Sequence, residues 1–397
     1  MSVVFINCTG ETFTPTRSGA ISTWHWEVCR AAQRQGVEPW VIARTTNAEP
    51  HPWPRAMLLD YPWIPQFRGT GLGRLLEWQR QLGGWGHVRQ GAYARRIVAA
   101  LREHGLSETP LVLHNDPELA VHLRRCFPRA KILHLFHNLN PCGEKCRREY
   151  PQAVTVAAGV SDFTSRWQEE YFGFQPGAVQ TIYNGVDLDA FTPAALPPAG
   201  PAVINFVGRT DATKAPDLIL KAALKLAATR KDFAVQILGA RFYWGSEPDD
   251  YQRELDTLSA ALAAQGIAVR RPGVISRPEL PGELRKANIH VVPSRWDEPF
   301  GLTTVEGMAS GLAIVASRTG GTAEIVADAG LLFARDDVDG LAAHLARLLD
   351  DRALCADYGR LARARAERFS WDATWSRLRG LLELPTRVRP EPQSALS

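Results

Sequence analysis

The sequence offers no long hydrophobic run, few cysteines and little charge imbalance, and each shortage narrows what the chain does. No apolar stretch approaches the roughly 20 residues that cross a bilayer, and the opening Val3–Ile6 is far too short for the apolar region of a secretory leader. A cytoplasmic protein is therefore expected. Six cysteines are scattered at positions 8, 29, 126, 142, 146 and 355, which excludes a disulfide-stapled scaffold and suggests reduced thiols. The net charge of +4 permits anionic partners but leaves no footprint for nucleic acid.

What is present suits a globular α/β protein. The 397 residues, 45% apolar and 22% charged, are enough for two domains with a core each. The most informative stretch runs from Pro293 to Val326. A buried strand over Ile289–Val292 stops at Pro293-Ser294, a loop carries Glu298, Pro299, Phe300 and Gly301, and a helix is expected over Leu302–Ala309, ending near Gly311. A second apolar strand follows over Leu312–Ala316. The N–H groups of Phe300, Gly301, Leu302 and Thr303 would open the helix as an anion site. Glu298 and Glu306 flank that site, and carboxylates, being acceptor-only, match sugar hydroxyls and not phosphate oxygens. The pattern fits a molecule with phosphates at its centre and hydroxyl-rich sugars at both ends.

Glu298-Pro-Phe-Gly-Leu…Glu306, with Gly311 and Gly320-Gly321 beyond it, closely resembles the donor signature of glycosyltransferase family 4. Two positions depart from that pattern: Gly307 stands where Ala is usual, and Leu312-Ala313 where Leu-Pro is common. The resemblance implies an α/β fold of GT-B architecture, two Rossmann-like parallel-sheet domains facing a central cleft. It also implies retention of anomeric configuration without a metal or other cofactor.

The rest of the chain adds to this reading. Residues 3–7, 37–43, 111–116, 131–138 and 154–160 read as strands, and 20–35 and 163–171 as helices. Gly19 precedes the first helix where the resemblance places a Gly-rich loop near donor and acceptor; from spacing alone it is equally a plain turn. His134 and His137 are three apart on a strand and so face opposite sides. His137, at the strand's end, matches the family's donor-sugar contact. Cys142 and Cys146 beside it lack the second Cys/His pair of a zinc site. Lys145, Arg147 and Arg148 form a basic cluster in what reads as a loop. Gly69-Thr-Gly-Leu-Gly73 has no buried strand before it and is assigned to loop, not to a dinucleotide site. Leu72–Trp85 reads either as a core-facing helix or as a basic amphipathic surface giving peripheral contact with the inner face of a membrane.

Thr192–Ala202 is a proline-rich linker. Beyond it come a strand over 203–207, the loop Gly208–Lys214, a helix over 216–229 and a strand over 233–238. The loop lacks Gly-Lys-Ser/Thr and is no P-loop. Arg209 and Lys214 nonetheless suit a diphosphate, and the resemblance gives them that role. Val269–Ile275 matches the stretch that meets the nucleotide base. The Asp-x-Asp sequences at Asp187 and Asp337 are read as turns or caps. The expected domains are 1–191 on the acceptor side, linker 192–202, the nucleotide-sugar domain 203–370, a helix over 371–384 returning to the first domain, and a disordered tail over 385–397.

The expected reaction moves a sugar from a nucleoside-diphosphate sugar, UDP-linked by default and GDP-mannose next, to an acceptor hydroxyl. His137, Arg209, Lys214 and Glu298 form the catalytic set. Gly19, Arg209, Lys214, Glu298, Phe300, Gly301, Leu302, Thr303 and Glu306 hold the donor. The sequence leaves the acceptor open among a glycan, a glycolipid and a lipid-linked oligosaccharide, with cell-surface glycan or glycolipid assembly as the expected setting. A sugar-nucleotide 2-epimerase, a soluble disaccharide or sugar-phosphate synthase, and a catalytically silent nucleotide-sugar-binding protein are the alternatives.

Overall fold

Val4–Ile6 forms β1, and all of its side chains are buried, as in a strand covered on both faces. It pairs in parallel with Trp40–Arg44 (β2) and with Leu111–His114 (β4). Ala56–Leu59 (β3) extends the sheet at one edge, and Ile132–Phe136 (β5), Val156–Gly159 (β6) and Gln180–Thr181 (β7) at the other. The order is β3-β2-β1-β4-β5-β6-β7, parallel throughout. Ala20–Arg34 (α1), Gly86–Glu103 (α2), Pro117–Cys126 (α3), Glu144–Ala153 (α4) and Asp162–Phe172 (α5) stand between the strands. Ile97, Leu101, Leu113, Ile132, Phe136 and Tyr150 belong to one core.

The structure, a computed structural model, describes residues 2–8, 11–15, 19–60, 86–195, 200–241 and 250–383. Arg17 and Ser18, Gly69–Gly73, Leu72–Trp85, the middle of the proline-rich stretch and the 385–397 tail lie outside the described residues.

The second sheet repeats the plan. Ala202–Val207 (β8), Phe233–Leu238 (β9), Val269–Gly273 (β10), Ile289–Val292 (β11), Ala313–Ser317 (β12) and Gly330–Phe333 (β13) order as β10-β9-β8-β11-β12-β13, again parallel. Pro216–Ala227 (α6), Asp250–Ala264 (α7), Leu280–Leu284 (α8), Leu302–Ala309 (α9), Thr322–Val326 (α10), Val338–Asp350 (α11) and Arg352–Ala366 (α12) alternate with them. A separate core forms from Ile204, Phe206, Leu220, Ile237, Val291, Val315 and Leu345. In each sheet the order reverses beside its first strand, between β1 and β4 and between β8 and β11. Crevices at the carboxyl ends of such strand pairs are where open parallel sheets bind ligands.

Two units result, Met1–Tyr183 with Thr374–Ser397, and Asn184–Ala373. The division falls upstream of the Phe191 boundary read from the sequence because Asn184–Phe191 packs on second-unit residues. The Val186 N–H donates to the Phe369 carbonyl at 2.8 Å, and Arg363 donates to the carbonyls of Leu188 and Phe191. Most of Trp371–Glu383 (α13) belongs to the first unit, where Trp375 lies edge-on to Phe5 at 6.4 Å.

Two elements differ from the sequence reading. Lys145, Arg147 and Arg148 lie on α4 and not in a loop. Pro151 obscured that helix, since a proline within a helix removes a hydrogen bond and usually ends it. Ala56–Leu59 is a strand in a stretch that reads as irregular, because Pro50, Pro52 and Pro54 crowd its start.

Candidate active site

In the second unit, the loops leaving β8 and β11 bring the acids and bases of the sequence pattern together at the switch point. Lys214 Nζ donates to Glu298 Oε1 at 2.5 Å and lies 5.4 Å from the centre of the Trp296 ring. Ser294 Oγ donates to the same carboxylate oxygen, and the Gly321 N–H donates to the Glu298 carbonyl at 2.7 Å. Glu298 is thus buried and held from both its ends. Arg209 pairs with Asp211 at 2.8 Å and remains half exposed. Asp211 also accepts from the N–H groups of Thr213 and Lys214, so one carboxylate shapes the loop that presents both cations.

Gly301 caps α9 in the left-handed region, with φ +86° and no side-chain cap, which leaves the helix N-terminus to an external partner. The Phe300 side chain is buried and packs edge-on to Phe369 at 5.9 Å. Gly320 explains its own place in the signature. It has φ +49°, and a Cβ there would collide with the backbone of Asp297 and Glu298, the loop that carries the acid.

Glu306, within α9, is buried. Burial raises its carboxyl above the usual range, and Arg277 opposes that rise by pairing with Oε1. Glu306 Oε2, Thr304 Oγ1 and Thr322 Oγ1 are buried polar atoms without a hydrogen-bond partner among the described residues. Acceptor oxygens so placed suit hydroxyl donors. Arg277, which also lies over the Phe191 ring at 5.2 Å, gave no signal in the sequence.

Both departures from the family pattern have local causes. A Cβ on Gly307 would sit 2.7 Å from His290 Cδ2, so the glycine makes room for a buried imidazole on β11. The Ala313 N–H donates to the Asn288 carbonyl at 3.0 Å, a ladder bond that proline cannot make. The Asp-x-Asp stretches are turns and caps, as read. Asp187 accepts from the N–H groups of Asp189 and Ala190, and Asp337 caps α11 through Gly340.

The first unit gathers histidines at its own switch point. His137 Nε2 is 2.9 Å from His114 Nδ1, and its backbone N–H donates to Asn115 Oδ1 at 2.7 Å. The His25 ring packs on His114 at 4.4 Å, and Trp24 packs on both His114 and His137. Burial, reinforced by the neighbouring imidazoles, lowers His137 to about 3 and puts His114 well below the usual histidine range. The pair is neutral at physiological pH, and one ring donates while the other accepts. His134 points elsewhere, between the Tyr150 hydroxyl and the Asp116 N–H, and is structural. Sequence spacing did find the two strand ends that bear His114 and His137, but not the ring contact. It missed Glu11 entirely: this acid accepts from the Gly19 N–H, and a Cβ on Gly19 would meet its Oε1 at 2.6 Å. An anion arriving at α1 would first have to displace that carboxylate, whose own pKa burial raises.

Two parallel sheets in this order, each with polar residues at its switch point, define a GT-B-type chain. The fold matches sucrose-phosphate synthase from Thermosynechococcus elongatus with a TM-score of 0.74 and 21% identity, over 96% of this chain and 98% of that one. It also matches Anabaena Alr3699/HepE, solved in complex with UDP-glucose, with a TM-score of 0.68 and 17% identity over 96% and 99%. Residues 189–365 match the model of the family described as "Glycosyl transferases group 1". A D-inositol 3-phosphate glycosyltransferase 2 of Catenulispora acidiphila is 38% identical over 51% of this chain and 50% of its own length. A phosphatidyl-myo-inositol mannosyltransferase of Mycolicibacterium smegmatis is 32% identical over 59% of each. The matched stretch spans about half the length of these curated relatives.

Proposed function

We propose that the chain is a retaining glycosyltransferase that moves a sugar from a nucleoside-diphosphate sugar to an acceptor hydroxyl. The observation that carries this reading is the meeting of Lys214 and Glu298 beside the uncapped start of α9, with buried Glu306 on the same helix. As the glycosidic bond breaks, the leaving diphosphate gathers charge. Arg209, Lys214 and the α9 N–H groups stabilise that charge without a metal. Glu306 accepts from ribose hydroxyls, which displace Arg277 from part of its carboxylate. Glu298 turns towards the donor sugar once the diphosphate draws Lys214 away from it; in the first unit, His137 offers a neutral imidazole to a hydroxyl group. The complex of the structural relative with UDP-glucose favours a uridine donor, with GDP-mannose next. The names of the curated relatives favour an inositol phosphate or phosphatidylinositol acceptor. The corresponding place of action is the cytoplasm or the inner face of a membrane. No helix among the described residues is long and apolar enough to cross one.

Thermal unfolding against UDP, GDP and their sugars tests the donor assignment. Ligand at about 100 times its Kd stabilises the folded state by about 2.7 kcal/mol, a rise of several degrees in Tm. One nucleotide class is expected to shift wild type, and Glu306→Ala to lose that shift while remaining folded. If no nucleotide moves the wild-type midpoint, the donor assignment fails.

A further inference from the structure

Glu118, Cys142 and Cys146 meet in the first unit, where a carboxylate oxygen and two Sγ atoms all lie within 4.8 Å of one another. Two elements bring them there. Glu118 sits in the first turn of α3, which Asp116 caps, while Cys142 and Cys146 bracket the N-cap of α4. C-x3-C spacing sets two thiols about one helical turn apart and offers only two ligands. The third comes from the packing of α3 on α4, which no local pattern in the sequence displays. Cys142 is fixed by its backbone: its N–H donates to Tyr171 Oη at 3.0 Å, and its carbonyl accepts from that hydroxyl at 2.8 Å. Cys146 is buried while Cys142 and Glu118 are half-buried, so the set is desolvated on one side and open on the other.

The chemistry of these three donors is that of zinc. Two thiolates disfavour magnesium and calcium. Zn–S bonds of about 2.3 Å and Zn–O bonds of about 2.0–2.2 Å place tetrahedral ligand atoms about 3.5–3.8 Å apart, a small closing-in from the observed spread. Arg147, one of three cations on the same helix, is engaged by Glu144 at 3.5 Å and by the Tyr171 ring at 5.7 Å.

We propose that Glu118, Cys142 and Cys146 bind one zinc ion, leaving its fourth position to water. The ion pins the first turn of α3 to the start of α4 and so orders the Asn138–Pro141 segment that follows His137. Loading releases the two thiol protons, so apparent affinity rises with pH. The site uses none of the donor residues proposed above and stands or falls separately from them.

The test uses the full chain, stripped with chelator under reducing conditions and then titrated with zinc, or with cobalt as a spectroscopic substitute. One equivalent per chain is expected, with cobalt giving thiolate charge-transfer and tetrahedral ligand-field bands. Both are expected to vanish in Cys142→Ser and in Cys146→Ser. Glu118→Gln, the mildest change, is expected to weaken binding by at least about tenfold. Cys355→Ser, a cysteine of the second unit, is expected to keep full stoichiometry. Failure of reduced wild type to take up an equivalent overturns the proposal. So does uptake that survives loss of both Cys142 and Cys146.

Discussion

Lys214 has two roles that substitution separates. It neutralises the buried carboxylate of Glu298, and in the proposed reaction it meets the leaving diphosphate. Removing it leaves Glu298 short of a cation, but Ser294 still donates to the same oxygen and Lys214 is partly exposed. The structural loss is therefore expected to be modest, about 1–3 kcal/mol, below the 3–5 kcal/mol of a fully buried pair. Loss of a preorganised contact to developing charge typically costs about a hundred- to a thousandfold in kcat. Lys214→Ala is thus expected to remain folded at 25 °C with turnover down by two to three orders of magnitude. Parallel measurement of kcat and of urea unfolding checks this. A loss of activity no larger than the unfolded fraction explains would make Lys214 structural only.

Among the elements, α9 shows how a helix near a site becomes tied to its sheet. Gly307 faces His290, whose Nδ1 is 2.9 Å from Asn205 Oδ1 on the neighbouring strand β8. The ring cannot swing away without giving up that bond. Glycine to alanine inside a helix ordinarily gains about 1 kcal/mol. Here a methyl 2.7 Å from the ring forces overpacking that costs about 1–3 kcal/mol, and the collision wins. Gly307→Ala is expected to be neutral to destabilising by about 2 kcal/mol in urea unfolding, and Gly307→Ala with His290→Ala to recover part of the loss. A clear stabilisation by Gly307→Ala would show that α9 shifts freely. The same helix shows what the sequence displays and what it hides. α9, β9 and β11 were legible to the residue because each apolar run is bounded by Gly, Pro or polar residues. Glu298, Glu306 and Lys214 were legible because their chemistry lies in the residue types themselves. Arg277, Glu11 and the His114–His137 contact were not, since each depends on a pairing set by the backbone path between the partners, which no local pattern encodes.

Across the whole molecule, the buried histidines are unevenly shared. Among the described residues, His25, His51, His114, His134 and His137 all lie in the first unit with depressed pKa values, whereas His290 is their counterpart in the second. A histidine held neutral by the fold takes up fewer protons than the unfolded chain does below pH of about 6.5. Its contribution is complete above that value. It falls as pH drops below about 6.5 towards the folded-state values, about 3 for His25, His134 and His137 and about 4 for His290, by up to about 1.4 kcal/mol per pH unit and group. The first unit is therefore expected to open first in acid. Pulsed hydrogen exchange is expected to show β4 and β5 losing protection near pH 5 while β11 and β12 keep theirs. Simultaneous loss in both would mean that other groups govern acid stability.

The first unit is also discontinuous in the chain: it leaves at Tyr183 and resumes at Thr374. Trp375 and Leu378, both fully buried, come from that late stretch, and Lys131 donates to the Leu382 carbonyl at 2.9 Å. On the ribosome, where domains generally form in the order they emerge, this protein must invert the sequence of events. Every residue of the second unit is translated before the first can complete its packing. The half of the chain that is made first is the half that is finished last, and until then it waits with an unfilled seat for Trp375 beside Phe5.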